Sequence, residues 1–217
     1  WAVRFDFSHN GVTELFPGEI LDEEAWSQNT YNRELEELVA VANYWNFRGC
    51  KVHLIGHSRG GGIALLAAHE LERNGIPPAS LSLWAAVSDF HERFPKGNDL
   101  KKWKESNRFE IVNQRTGHVL VHPWSFYTSF MNRASELDIK AAASELGIPV
   151  LVAHAMDDEG VNPSEARELH SLLKKSTLWF IDAGGHTFGT KEPWPGAVLP
   201  QPMCSLIERT LEHISEA

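Results

Sequence analysis

Short apolar runs alternate with helix-like segments along most of the chain. Apolar runs typical of buried strands occupy residues 51–56, 80–87, 149–153 and 177–181. Apolar residues recur at helical spacing in the segments 24–47, 63–73, 164–174 and 201–214. Strands that alternate with helices in this way predict an α/β protein, with a mostly parallel sheet covered by helices on both faces.

The first seven residues follow a period of two. Trp1, Val3, Phe5 and Phe7 are large and apolar, and smaller or charged residues stand between them. This alternation predicts a further strand, which would end at the turn residues 8–11.

Residues 89–134 interrupt the alternation of strands and helices. They begin with many charged residues and continue into a pattern that predicts a hairpin over 109–121, turning at residues 115–117. Long insertions in compact domains are usually lids or binding loops. We therefore predict one domain over residues 1–217, with a small lid inserted at 89–134.

The sequence Gly56-His57-Ser58-Arg59-Gly60 matches the pattern Gly-x-Ser-x-Gly. An apolar strand precedes it and an Ala/Leu-rich helix follows, which is the setting of a nucleophilic serine on a tight, strained turn. Steric crowding at such a turn predicts that both flanking glycines must lack a side chain. The backbone N–H of Arg59, at the start of the helix, would then bind a developing oxyanion. His57 is a candidate for the substrate pocket.

A nucleophilic serine needs a histidine base that a carboxylate orients. His186 lies in a glycine-flanked loop after the last predicted strand and is the candidate base for Ser58. The adjacent residues Asp157 and Asp158 follow the preceding strand, and Asp89 follows the strand before that. All three carboxylates remain candidates, because parallel strands bring their carboxyl ends to one edge of the sheet.

Composition narrows the range of partners. The chain has 217 residues, of which 42% are hydrophobic, and its formal net charge of -9 argues against a nucleic-acid partner. The histidines and cysteines show no metal-ligand spacing, and neither a metal nor an organic cofactor is implied. No apolar run reaches the length of a membrane span and no signal peptide is visible, so a cytoplasmic protein that does not engage membranes is expected.

Three stretches together resemble the α/β hydrolases, especially the cinnamoyl/feruloyl-esterase-like and dienelactone-hydrolase-like branches. They are the glycine-rich turn around Ser58, the His154-x-x-x-Asp158-x-x-Val161 stretch and the Gly-Gly-His186 loop. In those relatives the matching Asp is catalytic, so the resemblance selects Asp158. The inserted segment resembles their small lid, which shapes the acyl pocket, and Trp124 is its candidate for substrate binding.

The resemblance implies a serine hydrolase that cleaves small-molecule carboxylic esters, with aryl or hydroxycinnamoyl esters among the candidates. An acyl-peptide or amide hydrolase and a non-catalytic α/β-hydrolase-like binding protein are the alternatives. Such hydrolases have three strands before the strand that residues 1–7 resemble, together with a loop that supplies a second oxyanion donor. Because these strands 1–3 have no counterpart here, we expect them from a complementing N-terminal fragment or from another subunit of a homo-oligomer.

Overall fold

Helices and strands form close to the segments that the apolar pattern predicts. The computed structural model describes residues 1–12, 19–112, 117–191, 194 and 196–217. The helices are α1 (Glu23–Gln28), α2 (Tyr31–Phe47), α3 (Arg59–Arg73), α4 (Gly97–Ser106), α5 (Trp124–Asn132), α6 (Ile139–Glu145), α7 (Pro163–Leu172) and α8 (Gln201–Glu216). The strands are β1 (His53–His57), β2 (Ser80–Trp84), β3 (Phe109–Val112), β4 (Val119–His122), β5 (Val150–Ala155) and β6 (Ser176–Ile181).

The chain divides into two units. Unit 1 consists of Trp1–Glu37 and His91–Leu137, and unit 2 consists of Leu38–Phe90 and Asp138–Ala217.

A parallel sheet in the order β1-β2-β5-β6 forms the centre of unit 2. Helix α3 packs against β1 and β2, α7 packs against β5 and β6, and α8 packs against β2 and β5. Strand β5 is buried at every position because it has a neighbour on each side and helices packed against it. The predicted α/β class, with a mostly parallel sheet flanked by helices, is confirmed.

All strands of this sheet point the same way, so their carboxyl ends share one edge. His57, Trp84, Ala155 and Ile181 are the last residues of the strands. The segments that follow these four residues contain Ser58, Asp89, Asp157, Asp158 and His186. The topology therefore brings the predicted nucleophile, base and acids to the same edge of unit 2.

The strand predicted for residues 1–7 is wrong. These residues form no ladder with any described residue, and Trp1 and Val3 are exposed. Phe5 and Phe7 pack edge to face on each other, with ring centroids 5.2 Å apart. Alternating apolar residues make a strand only where a neighbouring backbone supplies hydrogen bonds. Strand β1 has β2 as its only neighbour among the described residues, and the complementing fragment or subunit stays a prediction.

Unit 1 contains an antiparallel pair, β3 and β4, where the sequence predicts a hairpin. The predicted turn lies largely outside the described residues, since 115 and 116 belong to the part that is not described. Buried aromatic side chains, among them Phe94, Trp103, Phe126 and Phe130, fill the interior of the unit. Phe94 packs against each of the other three rings, with centroid distances of 5.0–6.0 Å.

None of the described helices combines the length and the apolar character needed to cross a lipid bilayer.

The glycines around Ser58 differ in how much space they have. A Cβ on Gly56 would lie 2.4 Å from the carbonyl oxygen of Gly60, and a Cβ on Gly61 would lie 2.4 Å from the Cβ of Ala86. A Cβ on Gly60, in contrast, would meet no atom within 4 Å. The steric requirement predicted for Gly60 is therefore wrong. The close approach of α3 to the sheet falls at Gly61 instead.

This difference predicts opposite outcomes for two neighbouring substitutions. Gly61→Ala should lower the free energy of unfolding by roughly 1–3 kcal/mol, because the new methyl group overpacks the contact with Ala86. Gly60→Ala should leave it unchanged or raise it by up to about 1 kcal/mol, because alanine favours the helix. Urea unfolding of both variants measures the two effects. Equal destabilisation would contradict the assignment of the close contact to Gly61.

Candidate active site

Ser58 lies between the end of β1 and the start of α3 in a strained backbone conformation. Its φ is 54° and its ψ is -124°, a region that non-glycine residues rarely adopt and that costs about 1–3 kcal/mol. Backbone hydrogen bonds hold it there: its N–H donates to Trp84 at 2.9 Å, and its carbonyl accepts from Gly61 at 3.0 Å and Val87 at 3.2 Å. The hydroxyl makes no capping bond to α3, so it is available on the outside of the turn.

His186 lies between this hydroxyl and a carboxylate. Its Nε2 is 2.9 Å from the Oγ of Ser58, and its Nδ1 is 2.9 Å from Oδ2 and 3.1 Å from Oδ1 of Asp158. The carboxylate can only accept, so it selects the tautomer with the proton on Nδ1. The Nε2 lone pair then faces the Ser58 hydroxyl, which is the arrangement that lets histidine remove its proton.

Asp158 is held in place by the backbone as well as by His186. Its Oδ1 accepts from the N–H of Gly160 at 2.8 Å and of Val161 at 2.9 Å, and its side chain is fully buried. Burial by itself raises the pKa of this carboxyl. The hydrogen bonds from Val161, His186 and Gly160 outweigh burial, and the pKa lies below its usual range. Asp158 is therefore ionised at neutral pH.

Asp157, one residue earlier, has a different set of partners. Its Oδ1 accepts from the backbone N–H of Gly184 at 2.9 Å and of Gly185 at 2.8 Å. Gly185 has a φ of 59°, the left-handed conformation that glycine adopts most readily. Asp157 thus holds the loop that precedes His186, while Asp158 contacts the imidazole itself. The third candidate acid, Asp89, lies 3.8 Å from the Nζ of Lys140.

His57 contacts the candidate base rather than only lining a surface. Its Nε2 lies 2.8 Å from the backbone carbonyl of His186, and the two ring centroids are 4.8 Å apart. Although part of the ring is exposed, desolvation by the surrounding protein lowers the pKa of His57, and the hydrogen bond to the His186 carbonyl, which acts in the opposite direction, only partly offsets it. Neutral His57 can donate its Nε2 proton to that carbonyl. Its substrate-binding role stays a prediction.

Arg59 is the first residue of α3, directly after Ser58. The N–H groups of the first helical turn point out of the helix N-terminus, so the position of Arg59 suits the predicted oxyanion donor.

Trp124, at the start of α5 in unit 1, packs among other aromatic residues. It stacks on Tyr127 with centroids 4.6 Å apart, and its ring lies edge-on to Trp103 at 5.5 Å. Its predicted contact with substrate stays a prediction.

The sequence pattern does not predict the role of Gly160 or the contacts of Asp157. A Cβ on Gly160 would lie 2.9 Å from the Cγ of His186, so this glycine leaves room for the imidazole. Asp157 is predicted only as an alternative acid, whereas its contacts are with the His186 loop. The two adjacent glycines before His186 are the signal in the sequence for this role, because their backbone N–H groups need an acceptor. Within the described part of the chain, no group of three or more His, Cys, Asp or Glu residues is arranged to hold a metal ion.

The thioesterase domain family model matches residues 48–200, which include Ser58, Asp158 and His186. No curated protein sequence matches the chain significantly.

Solved structures with the same fold include several hydrolases. A protein from Agrobacterium vitis S4, named as a candidate hydrolase, is 23% identical over 88% of this chain and 70% of its own, with a TM-score of 0.69. Est1E from Butyrivibrio proteoclasticus is 19% identical over 86% of this chain and 72% of its own, with a TM-score of 0.63. A monoacylglycerol lipase from Paleococcus ferrophilus is 13% identical over 88% of this chain and 77% of its own, with a TM-score of 0.62. At these identities the likeness establishes the fold.

The two adjacent acids are expected to respond differently to amidation. Asp158→Asn removes the charge that would stabilise a protonated His186 and should lower kcat for ester hydrolysis roughly 10³–10⁴-fold. Asp157→Asn keeps an oxygen that can accept from Gly184 and Gly185, so the loss should stay below about 10-fold. Steady-state kcat values of the two variants at neutral pH show which aspartate is the triad acid. The reverse ranking would identify Asp157 as the acid.

The pH dependence of stability provides a second measurement on Asp158→Asn. The depressed pKa of Asp158 means that its ionised form stabilises the folded protein above the unfolded pKa, near 4. This stabilisation is lost as the pH falls through the lower, folded pKa. The variant should therefore be less stable than the parent at pH 7, and the difference should shrink below about pH 4. A difference that is independent of pH would contradict the depressed pKa.

Proposed function

Because the chain belongs to the thioesterase domain family, whose model covers residues 48–200, we propose that it cleaves carboxylic esters through an acyl-enzyme on Ser58. The resemblance to α/β hydrolases drawn from the sequence is confirmed by the family and by the fold, and the chain is accordingly a hydrolase of this superfamily. The observation that carries the proposal is the continuous chain of contacts from Ser58 through His186 to Asp158, with 2.9 Å at each step.

The proposed reaction proceeds in two halves. In the first, Ser58 Oγ attacks the ester carbonyl while Nε2 of His186 takes the hydroxyl proton, and Asp158 stabilises the imidazolium. The backbone N–H of Arg59 donates to the oxyanion of the tetrahedral intermediate. His186 then gives its proton to the departing alcohol, which leaves the acyl group on Ser58. In the second half, water loses a proton to His186 and attacks the acyl-enzyme. As that intermediate collapses, His186 returns the proton to Ser58 Oγ, which restores the hydroxyl and releases the acid.

The proposed substrate is a small-molecule carboxylic ester. Est1E, which shares the fold, has been solved with ferulic acid bound. Aryl and hydroxycinnamoyl esters are therefore the first oxygen esters to test.

Thioesters are the second candidate substrate, because the family model is that of a thioesterase domain. The proposed steps apply unchanged to a thioester, with a thiol in place of the alcohol as the leaving group. Amide cleavage requires protonation of the leaving amine, which the same kind of triad can supply, and no observation on this chain favours it.

A substrate panel with one matched pair of variants tests the proposal. Wild-type protein should hydrolyse p-nitrophenyl acetate, methyl ferulate or an acyl thioester faster than an aminoacyl anilide, as followed by absorbance. Ser58→Ala should lose at least about 10³-fold in kcat, because the nucleophile is removed. Ser171→Ala, at an exposed serine of α7, should retain the parent rate.

Ordering the panel by kcat/KM then separates oxygen esters from thioesters. Turnover that survives Ser58→Ala, or a wild-type protein that is inert on the whole panel, would contradict the proposed function. Inertness would favour the non-catalytic binding protein.

A further inference from the structure

His154 is a buried polar residue in the middle of an apolar strand. Strand β5 is buried at all six of its positions, and its sequence is Val-Leu-Val-Ala-His-Ala. The His154 side chain is 0% exposed. Burying an imidazole without adequate partners costs roughly 1–3 kcal/mol, so a hydrophobic residue would serve packing better at this position.

The contacts of His154 point to the site. Its Nε2 lies 2.9 Å from the carbonyl oxygen of Val161 and 3.1 Å from Oδ2 of Asp158. Its Nδ1 is buried and meets no hydrogen-bonding atom among the described residues. Only the tautomer with the proton on Nε2 fits, because the other tautomer would turn a lone pair toward two oxygens and leave an N–H without an acceptor.

Besides the direct contact, Val161 connects His154 to Asp158 through its backbone. Its N–H donates to Oδ1 of Asp158 at 2.9 Å, and its carbonyl accepts from His154. His154 therefore fixes the residue that holds one oxygen of Asp158, while its own N–H faces the other oxygen. The carboxylate that meets His186 is constrained at both oxygens by groups that depend on His154.

We propose that His154 is a positioning residue, which holds the Asp158 carboxylate in the orientation that His186 requires. Its effect on rate rests on the proposed function, but its effect on His186 does not require substrate. His186 donates its Nδ1 proton to Asp158, so a change in the orientation of Asp158 must alter this hydrogen bond and the chemical shift of the proton.

Two amide substitutions separate positioning from packing. In His154→Gln the side-chain amide can reach the place of Nε2 and keep a donor toward Val161 and Asp158. In His154→Asn the shorter amide lies near the place of Nδ1, and that donor is lost. We expect the ¹H NMR signal of the His186 Nδ1 proton to move upfield in the Asn variant, because its hydrogen bond to Asp158 weakens, and to stay near the parent position in the Gln variant.

The rate should follow the same order on whichever ester the wild type hydrolyses. His154→Asn should lower kcat roughly 10–100-fold with KM changed less than about 3-fold, because a small displacement of the acid disturbs the base. His154→Gln should stay within about 3-fold of the parent in kcat.

A second buried histidine supplies the control. His213 in α8 is also buried, and its Nε2 lies 3.2 Å from the carbonyl of Leu81. His213→Asn removes the same type of contact away from the triad, so it should change stability without moving the signal of the His186 Nδ1 proton. A shift of that signal as large as in His154→Asn would overturn the proposal, since loss of packing alone would then explain it.

Further results would also overturn the proposal. Equal chemical shifts of the His186 Nδ1 proton in folded His154→Asn and His154→Gln would show that the donor has no role. If His154→Asn does not fold, the ¹⁵N shifts of the wild-type imidazoles decide, since an Nδ1–H tautomer at His154 contradicts the assignment and an Nε2–H tautomer supports it. A wild type that hydrolyses no ester would contradict the proposed function, while the signal of the His186 Nδ1 proton would still test the role of His154.

Discussion

The abrupt turn from β1 into α3 is the constraint on which the site depends. The chain reverses from strand to helix through the single residue Ser58, at a φ of 54°, and no side chain fits at Gly56 or Gly61 beside it. The strain is held by hydrogen bonds from the neighbouring strand region, through Trp84 and Val87. A strained residue persists only where its surroundings fix it in this way. The result is a serine hydroxyl that is presented outside the backbone, next to the first N–H groups of a helix.

The opposite side of the site is a loop held by paired acids. Asp157 fixes the backbone before His186, and Asp158 fixes the ring, so neighbouring residues determine the position and the tautomer of one imidazole. His57 adds a contact to the carbonyl of His186 from the serine side. A general base gains most from such restraint, because proton transfer depends steeply on the distance and angle between the groups.

The sequence predicts the sheet and the candidate residues Ser58 and His186 because these depend on local patterns. The buried strands were visible as apolar runs, and Ser58 and His186 lie in glycine-rich turns with few alternative structures. The choice among Asp157, Asp158 and Asp89 depended on which side chain reaches His186, and spacing alone left it open. The prediction of a strand at residues 1–7 is wrong because strand formation depends on pairing with a backbone that is distant in the sequence. The prediction that Gly60 must lack a side chain is wrong, because the crowding depends on how α3 packs against Ala86. A sequence motif does not contain that information.

Covalent labelling of the serine tests the central claim most directly. A fluorophosphonate reacts with a serine hydroxyl only when a neighbouring base activates it, and the product is stable enough for intact-mass and peptide analysis. We expect the wild-type protein to gain one phosphonyl group, located on Ser58, and His186→Ala to react on the order of 10³-fold more slowly. Labelling on another residue, or equal labelling rates in the two proteins, would contradict the assignment of Ser58 as a nucleophile activated by His186.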